Sequence, residues 1–331
     1  MSGASVITRF LLRRLAHATF LLFGVSVLAF FFSTFAPGNY FDDMRLNPQI
    51  SAERLTALRA DYQLDRPMPV RYIRWAGAVL HGDLGLSFAY NTPVGPLLWA
   101  RARNTLLLTG TAAVLVWMLA LPLGVWSAEK LGRPADVALS WATAVLLIIP
   151  DLALALGLLV LAVRSGWLPT GGMVSVGFDG FSAAQRVRDV AWHMVLPVAV
   201  LVASALPVLL RHVRAAMAEA LEAPFLRAAE GQGISRRRLL YRYALPAAAH
   251  PLIALFGFSV GTLLSGSLLV EVVMSWPGLG PFLLEAILAR DLYVVIGAVL
   301  LSTLFLVAGN FVADLLLYWA DPRIRAEASR R

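Results

Sequence analysis

Six apolar runs, at about 15–35, 105–127, 137–163, 191–210, 247–270 and 292–319, dominate this 331-residue chain. A helix rising about 1.5 Å per residue needs roughly 20 apolar residues to cross the hydrocarbon core of a bilayer. Each run meets that length. Hydrophobic residues make up 59% of the sequence, against roughly 45–50% in soluble domains. With no water in the bilayer to satisfy backbone amides and carbonyls, runs of this length cross as helices. The fold class expected is therefore all-α, a polytopic membrane protein with six transmembrane helices.

Charge sets the orientation. Arg9, Arg13 and Arg14 precede the first run, which is longer than the roughly 7–15 apolar residues of a secretory signal, so it reads as a retained helix. Sixteen of the 28 Lys and Arg lie in 1–14, 128–136, 211–246 and 320–331. The other twelve are spread over longer segments, 36–104, 164–190 and 271–291. The positive-inside rule then places both termini in the cytoplasm. The net charge of +8 is concentrated on one membrane face, and no aromatic-basic patch accompanies it, so nucleic acid is not an expected partner. Absence of cysteine excludes disulfides, thiolate catalysis and cysteine-ligated metal.

Between the fourth and fifth runs lies PFLRAAEGQGISRRRLLYRYALP, residues 224–246. It reads as two short helices joined by a glycine turn. Pro224 suits the first turn of a helix, where its missing N–H costs nothing. Gly231 and Gly233 end that helix by accepting positive φ. Ser235 is placed to cap the next one, and Pro246 stops or kinks it. Small residues at 228, 229, 231 and 233 leave a surface that another protein can approach closely. On these features alone an ordinary basic loop is an equal reading. Arg236, Arg237 and Arg238 open a helix, where the macrodipole disfavours cations by roughly 0.3–1 kcal/mol each. Anionic membrane lipid and an acidic protein surface are both candidate partners for them.

The order Ala228-Ala229, three residues, Gly233, nine residues, Tyr243, one residue, Leu245-Pro246 resembles the "EAA" signature of ABC importer permeases. Arg227 stands where the name-giving Glu would be, which is similar to the dipeptide, oligopeptide and nickel branch. Other blocks resemble the same branch: Leu64-Asp65-Arg66-Pro67 with Tyr72 and Trp75, Gly82-Asp83-Leu84-Gly85, Gly166-Trp167-Leu168-Pro169, and Glu271 followed by Pro277-Gly278-Leu279-Gly280. Pro37-Gly38-Asn39 replaces a common Pro-Gly-Asp, and Met274 replaces a usual Phe. The resemblance covers nearly the whole chain, apart from 170–190 and the termini.

That resemblance implies a type I importer (MetI-like) permease fold in the bacterial inner membrane, like the first permease of that branch. It implies a division into an N-terminal segment and first helix (1–35), an extracytoplasmic segment (36–104), a core permease domain (105–319) with a cytoplasmic coupling loop (211–246), and a tail (320–331). Its implied partners are a second homologous permease, two ATP-binding subunits and an extracytoplasmic substrate-binding protein. Arg227, Ala228, Ala229, Glu230, Gly231 and Gly233 would contact the ATP-binding subunit. Glu271, Pro277, Gly278 and Gly280 form an extracytoplasmic family motif. The cargo would be peptides or a related small solute.

The chemistry expected of the chain itself is sparse. Lys130, the only lysine, is followed by Leu131, so no Walker A loop exists to cradle a nucleotide. The five histidines are scattered, and neither a zinc-protease motif nor a Gly-x-Ser-x-Gly elbow occurs. No catalytic residue, metal or cofactor is expected, and the chain reads as a transport subunit rather than an enzyme. Pro150 and Asp151 fall at the middle of the third run, expected as one tilted helix. There Asp151 lines a translocation path or hydrogen-bonds a neighbouring helix. The alternative reading is a secondary transporter driven by an ion gradient through Asp151, but the inverted repeats typical of that class are not seen.

Overall fold

A computed structural model describes residues 3–35 and 66–320. The Pro37-Gly38-Asn39 block, Leu64-Asp65 and the tail beyond residue 320 lie outside the described residues. In chain order the elements are α1 (Gly3–Phe35), α2 (Met68–Leu80), α3 (Val94–Glu129), α4 (Pro134–Ile148), α5 (Asp151–Ser165), α6 (Ala183–Glu222), α7 (Pro224–Gly231), α8 (Arg236–Leu239), α9 (Ala249–Val273), α10 (Leu279–Leu288) and α11 (Leu292–Ala320). A π turn, Leu240–Ala244, and one helical turn, Leu245–Ala247, join α8 to α9. The fold is all-α, as expected. Leu12–Ser33 of α1, then α3, α6, α9 and Leu292–Tyr318 of α11 are long and apolar enough to cross a membrane, and α4 with α5 makes a sixth crossing if counted as one bent span.

That bent pair corrects one expectation. The run at 137–163 is not a single tilted helix but is broken, with a 97° angle between α4 and α5. Proline removes a backbone donor and disfavours helical geometry at the residue before it. Ile149 is accordingly extended, at φ −77° and ψ 119°, and the helix restarts at Asp151 after Pro150. α6 also exceeds its expected limits. It starts at Ala183, where the Gln185 side-chain oxygen accepts from both the Ser182 N–H and its hydroxyl at 2.9 Å, a Ser-x-x-Gln helix start. It continues to Glu222, 40 residues in all. At about 1.5 Å per residue that is twice the hydrocarbon thickness, so the ends of α6 stand clear of the bilayer core.

Packing divides the chain into two units. The first comprises Met1–Arg13, Leu106–Trp276 and Leu306–Arg331. In it α6 packs against α9, α4 and α5. One buried cluster joins Leu209, Val213 and Met217 of α6 to Leu226, Leu239, Leu240 and Ala244 of the following loop and to Leu252 and Leu255 of α9. Another gathers Leu108, Ala155, Met194, Val200, Leu263 and Trp276. α9 and α11 meet through small residues: a Cβ at Gly257 would lie 2.8 Å from Ala313 Cβ, and one at Gly261 2.5 Å from Leu306 Cδ1. Glycine four residues apart on one helix lets the neighbouring helix approach this closely, a common device between membrane helices.

Asp136, in the first turn of α4, is fully buried. It accepts two hydrogen bonds from Arg214 of α6, from Nε and Nη2 at 2.7 Å each, one from the Ser127 hydroxyl, and one from the Gly132 N–H at 2.9 Å. The planar guanidinium fork fits the carboxylate, and the two further donors occupy its remaining lone pairs. The hairpin between α3 and α4 is thereby fixed to the C-terminal quarter of the long helix that leads into the 223–248 loop.

The second unit comprises Arg14–Thr105 and Pro277–Phe305. Phe30, Trp75, Phe88, Leu292 and Ile296 form its core. The Tyr72 ring meets Phe30 edge-on at 5.5 Å, and its hydroxyl lies 2.8 Å from the Ser26 hydroxyl. Buried Asp291 accepts from the Ser87 hydroxyl at 2.6 Å and the Ala89 N–H at 3.0 Å, which shapes the loop leading into α3.

Replacing Asp136 with Ala leaves the Arg214 guanidinium without its carboxylate. Hydrogen bonds to charged groups contribute about 1.5–3 kcal/mol each. Thermal unfolding of the purified chain is expected to shift down by several degrees for Asp136→Ala, with Arg214→Lys, which keeps the charge and loses the fork, in between. Unchanged midpoints would show that this ion pair does not hold the hairpin to α6.

Candidate functional site

The loop between α6 and α9 is built on three buried leucines. α6 ends at Glu222, Ala223 turns the chain at φ −61° and ψ 136°, and Pro224 opens α7. Leu226 is 1% exposed and packs into the cluster with Val213, Met217, Leu239 and Leu240. Fully burying a leucine side chain is worth about 1.5–3 kcal/mol. The outward side of α7 then carries Phe225, Arg227, Ala228, Glu230 and Gly231, all exposed, with Ala229 half-buried.

The end of α7 is a Schellman motif. The Gly233 N–H donates to the Glu230 carbonyl at 3.0 Å, and the Ile234 N–H donates to the Ala229 carbonyl at 3.4 Å. This pair of bonds requires a left-handed residue just past the helix, and Gly233 supplies it at φ +80°. Gly231, expected to share that role, instead completes the helix without positive φ. Ser235 stands at the N-cap of α8, but its side chain makes no capping hydrogen bond. Pro246 does not stop the chain's helical course. The helix widens to a π turn before it and slackens at Ala248, where φ is −81° and ψ −2°.

The other expected residues fall elsewhere in the chain. Pro150 and Asp151 form the break between α4 and α5, and both side chains are exposed. Asp151 makes no hydrogen bond or ion pair among the described residues. Glu271 lies fully buried near the end of α9, and its carbonyl accepts from the Trp276 N–H at 2.8 Å. In the second unit, the Pro277 carbonyl accepts from Asn104 Nδ2 at 2.8 Å, and the Leu279 N–H donates to Thr105 Oγ1 at 2.8 Å. Gly278 is the extended residue before α10, and Gly280 is buried in its first turn.

Sequence reasoning found the exposed part of the loop and missed what fixes it. Leu226, Leu239 and Leu240 anchor it, and Asp136 with Arg214 braces the helix that leads into it. The three leucines were visible as the apolar side of an otherwise polar stretch.

This architecture, five helices long and apolar enough to cross a membrane, six with the bent pair as one span, and a braced polar loop between α6 and α9, is that of the membrane subunit of a transporter. The chain belongs to the family described as "Binding-protein-dependent transport system inner membrane component", matched over residues 120–326, and residues 7–109 match the family's N-terminal region. It is 32% identical to the oligopeptide transport system permease protein AppB of Bacillus subtilis, over 95% of this chain and 98% of that one. It is 34% identical to the dipeptide transport system permease protein DppB of Escherichia coli, over 96% and 98%. A glutathione transport system permease protein, GsiC of Escherichia coli, is 32% identical over 96% and 98%. Among solved structures, a chain of the inward-facing MetNI methionine ABC transporter shares the fold, with a TM-score of 0.54 at 19% identity, covering 68% of this chain and 96% of that one. The protein is thus an ABC importer permease, a multi-pass inner-membrane transport subunit without an ATPase site of its own. Such a subunit works with a partner permease, ATPase and binding protein. Ion-gradient-driven secondary transport is not favoured.

At Gly233 a new Cβ would meet nothing within 4 Å, so the cost of a side chain there is backbone strain alone. Left-handed geometry costs an L-residue about 1–2 kcal/mol. Gly233→Val is expected to speed amide exchange at residues 233 and 234 about tenfold, while α6 stays protected. Gly231→Ala, at a helical position, is expected to leave exchange unchanged. Equal exchange in both variants would show that the turn does not depend on Gly233.

Proposed function

We propose that this chain carries peptides, or a related small solute, as one of two homologous permeases in an ATP-driven importer. The observation that carries the reading is the geometry of α7: a short helix that exposes Arg227, Ala228, Glu230 and Gly231 and is fixed from below by buried Leu226. Small exposed residues on a fixed helix suit a groove on a partner protein. In this reading Arg227, Ala228, Ala229, Glu230, Gly231 and Gly233 contact one of two ATP-binding subunits, and both termini share their compartment. ATP binding draws those subunits together, α7 moves with the long helix α6 as one lever, and the helix bundle opens outward to a loaded binding protein. Hydrolysis resets it. Peptide cargo is supported by the named transport systems of the relatives. The binding protein sets most of the selectivity, and the chain itself takes up no cofactor. Glu271, Pro277, Gly278 and Gly280 belong to the extracytoplasmic end of the bundle.

The path is proposed to pass Pro150 and Asp151. A carboxylate facing lipid at mid-membrane costs about 2.5–3.5 kcal/mol on insertion scales. Broken backbone at that depth is tolerated where it is backed by protein or lines a water-filled cavity. Both features fall together at the α4–α5 break. Its negative charge suits the amino terminus of a peptide.

In a reconstituted importer, Ala229→Glu is expected to abolish transport and substrate-stimulated ATP hydrolysis while membrane insertion stays intact. The added bulk and unpaired charge cost several kcal/mol in a buried interface. Transport and ATPase rates equal to the parent would refute coupling through α7. Asp151→Asn is expected to lower transport, or to shift preference from cationic toward neutral substrates, with little change in thermal stability. Lost stability with unchanged preference would make Asp151 structural only.

A further inference from the structure

The basic segment after α7 divides its cations between two tasks. Arg236, itself exposed, is paired with the chain's own carboxylates, at 3.4 Å from both Glu129 and Glu230. Arg237, Arg238 and Arg242 are exposed and make no ion pair or hydrogen bond among the described residues. Ser235, Arg237, Arg238 and Tyr241 line an open hollow of about 420 Å³. The Ser235 hydroxyl is not used for capping, so it remains available as a donor. Leu239, Leu240 and Ala244 are buried on the other side of the same segment. One face is therefore anchored in the protein core, and the other presents cations, a hydroxyl and an aromatic ring outward.

The position of this face limits its partner. Tyr241 precedes Ala249, the first residue of membrane-spanning α9, by eight residues of helical chain, at most about 12 Å. The polar headgroup layer is about 5–8 Å thick on each side of the hydrocarbon core. Tyr241 therefore stands at or just beyond that layer, within reach of it through its side chain, and exposed tyrosine is enriched at membrane interfaces. The planar guanidinium of arginine matches phosphate oxygens in pairs. The recognition rests on the side chains of this segment rather than on a helix terminus.

We propose that the hollow formed by Ser235, Arg237, Arg238 and Tyr241 binds the phosphate of an anionic phospholipid headgroup, with Arg242 adding to the local positive charge. Arg237 and Arg238 hold the phosphate oxygens, Ser235 donates a further hydrogen bond, and Tyr241 packs along the glycerol region. This binding pins the start of α9, and with it the loop anchored by Leu239 and Leu240, to the bilayer surface.

The test measures binding of a short-chain fluorescent phosphatidylglycerol to the detergent-solubilised full chain by fluorescence polarisation. A basic residue near an anionic surface contributes about 1 kcal/mol, or about fivefold in affinity. Arg237→Gln and Arg238→Gln are each expected to weaken binding about fivefold, and together more. Arg236→Gln, whose parent side chain is engaged with Glu129 and Glu230, is expected to leave the affinity within about twofold of the parent. Phosphatidylcholine is expected to bind all variants equally weakly, and millimolar inorganic phosphate not to displace the lipid. The proposal fails if the double variant keeps the parent affinity, or if Arg236→Gln costs as much as the others. Displacement by inorganic phosphate would instead make this a free-phosphate site. Should the double variant keep its lipid affinity but no longer co-purify with ATP-binding subunits, the patch faces a protein. Each single variant alters one exposed side chain, and a monodisperse gel-filtration peak identifies those that fold.

Discussion

Inside a bilayer every backbone amide and carbonyl must find a partner within the protein, because an unpaired one costs several kcal/mol and water is absent. The spans of this chain obey that constraint as long helices, and its one sharp departure carries the most meaning. At Ile149 and Pro150 the hydrogen-bond ladder is interrupted within an otherwise apolar stretch, and an exposed carboxylate follows immediately. Neither the open ladder nor the charge is compatible with a lipid-facing wall. In the proposed importer the outer side of the α4–α5 break accordingly meets protein or water, and the proposed path and partner permease both draw on that.

The loop between α6 and α9 depends on a different balance. Its outer surface is mostly polar, with Phe225 and Tyr241 also exposed, and offers little that would fix its conformation. Fixation comes from beneath, where Leu226, Leu239 and Leu240 share one buried cluster with the ends of α6 and α9. Removing such a leucine typically costs about 2–5 kcal/mol, so α7 is not free to move independently of the helices below it. Asp136 and Arg214 extend the same rigidity to the α3–α4 hairpin. A push on α7 would thus be carried into several spans at once, as the proposed coupling through α7 requires.

Much of this was legible in the sequence, and the parts that were not share a cause. Run length and charge asymmetry give the spans because bilayer thickness imposes a length with little tolerance. Gly233 was legible because a left-handed turn after a helix leaves few alternatives to glycine. Pro150 is visible within the third run, but the run is expected as one tilted helix, because whether a proline tilts or breaks a span depends on how α4 and α5 each pack. The early start of α6 was signalled by Ser182 and Gln185 but obscured by Arg186, Arg188 and Asp189, which look like loop residues until the helix is seen to outrun the bilayer. Asp136 and Arg214 are 78 residues apart, and no local pattern links an aspartate in a tight hairpin to one arginine among many.

The π turn at Leu240–Ala244 sets the phase of everything before it. A π turn is an α-helix holding one residue more than its pitch accommodates, and a residue occupies about 100° of the helical wheel. Deleting a single residue between 240 and 244 would restore regular winding and rotate the preceding segment by about that angle relative to α9. Leu239 would leave the core, and the arginines would swing toward the place it vacated. The extra residue therefore acts as an angular spacer, and in this stretch the length of the chain is as closely determined as its chemistry.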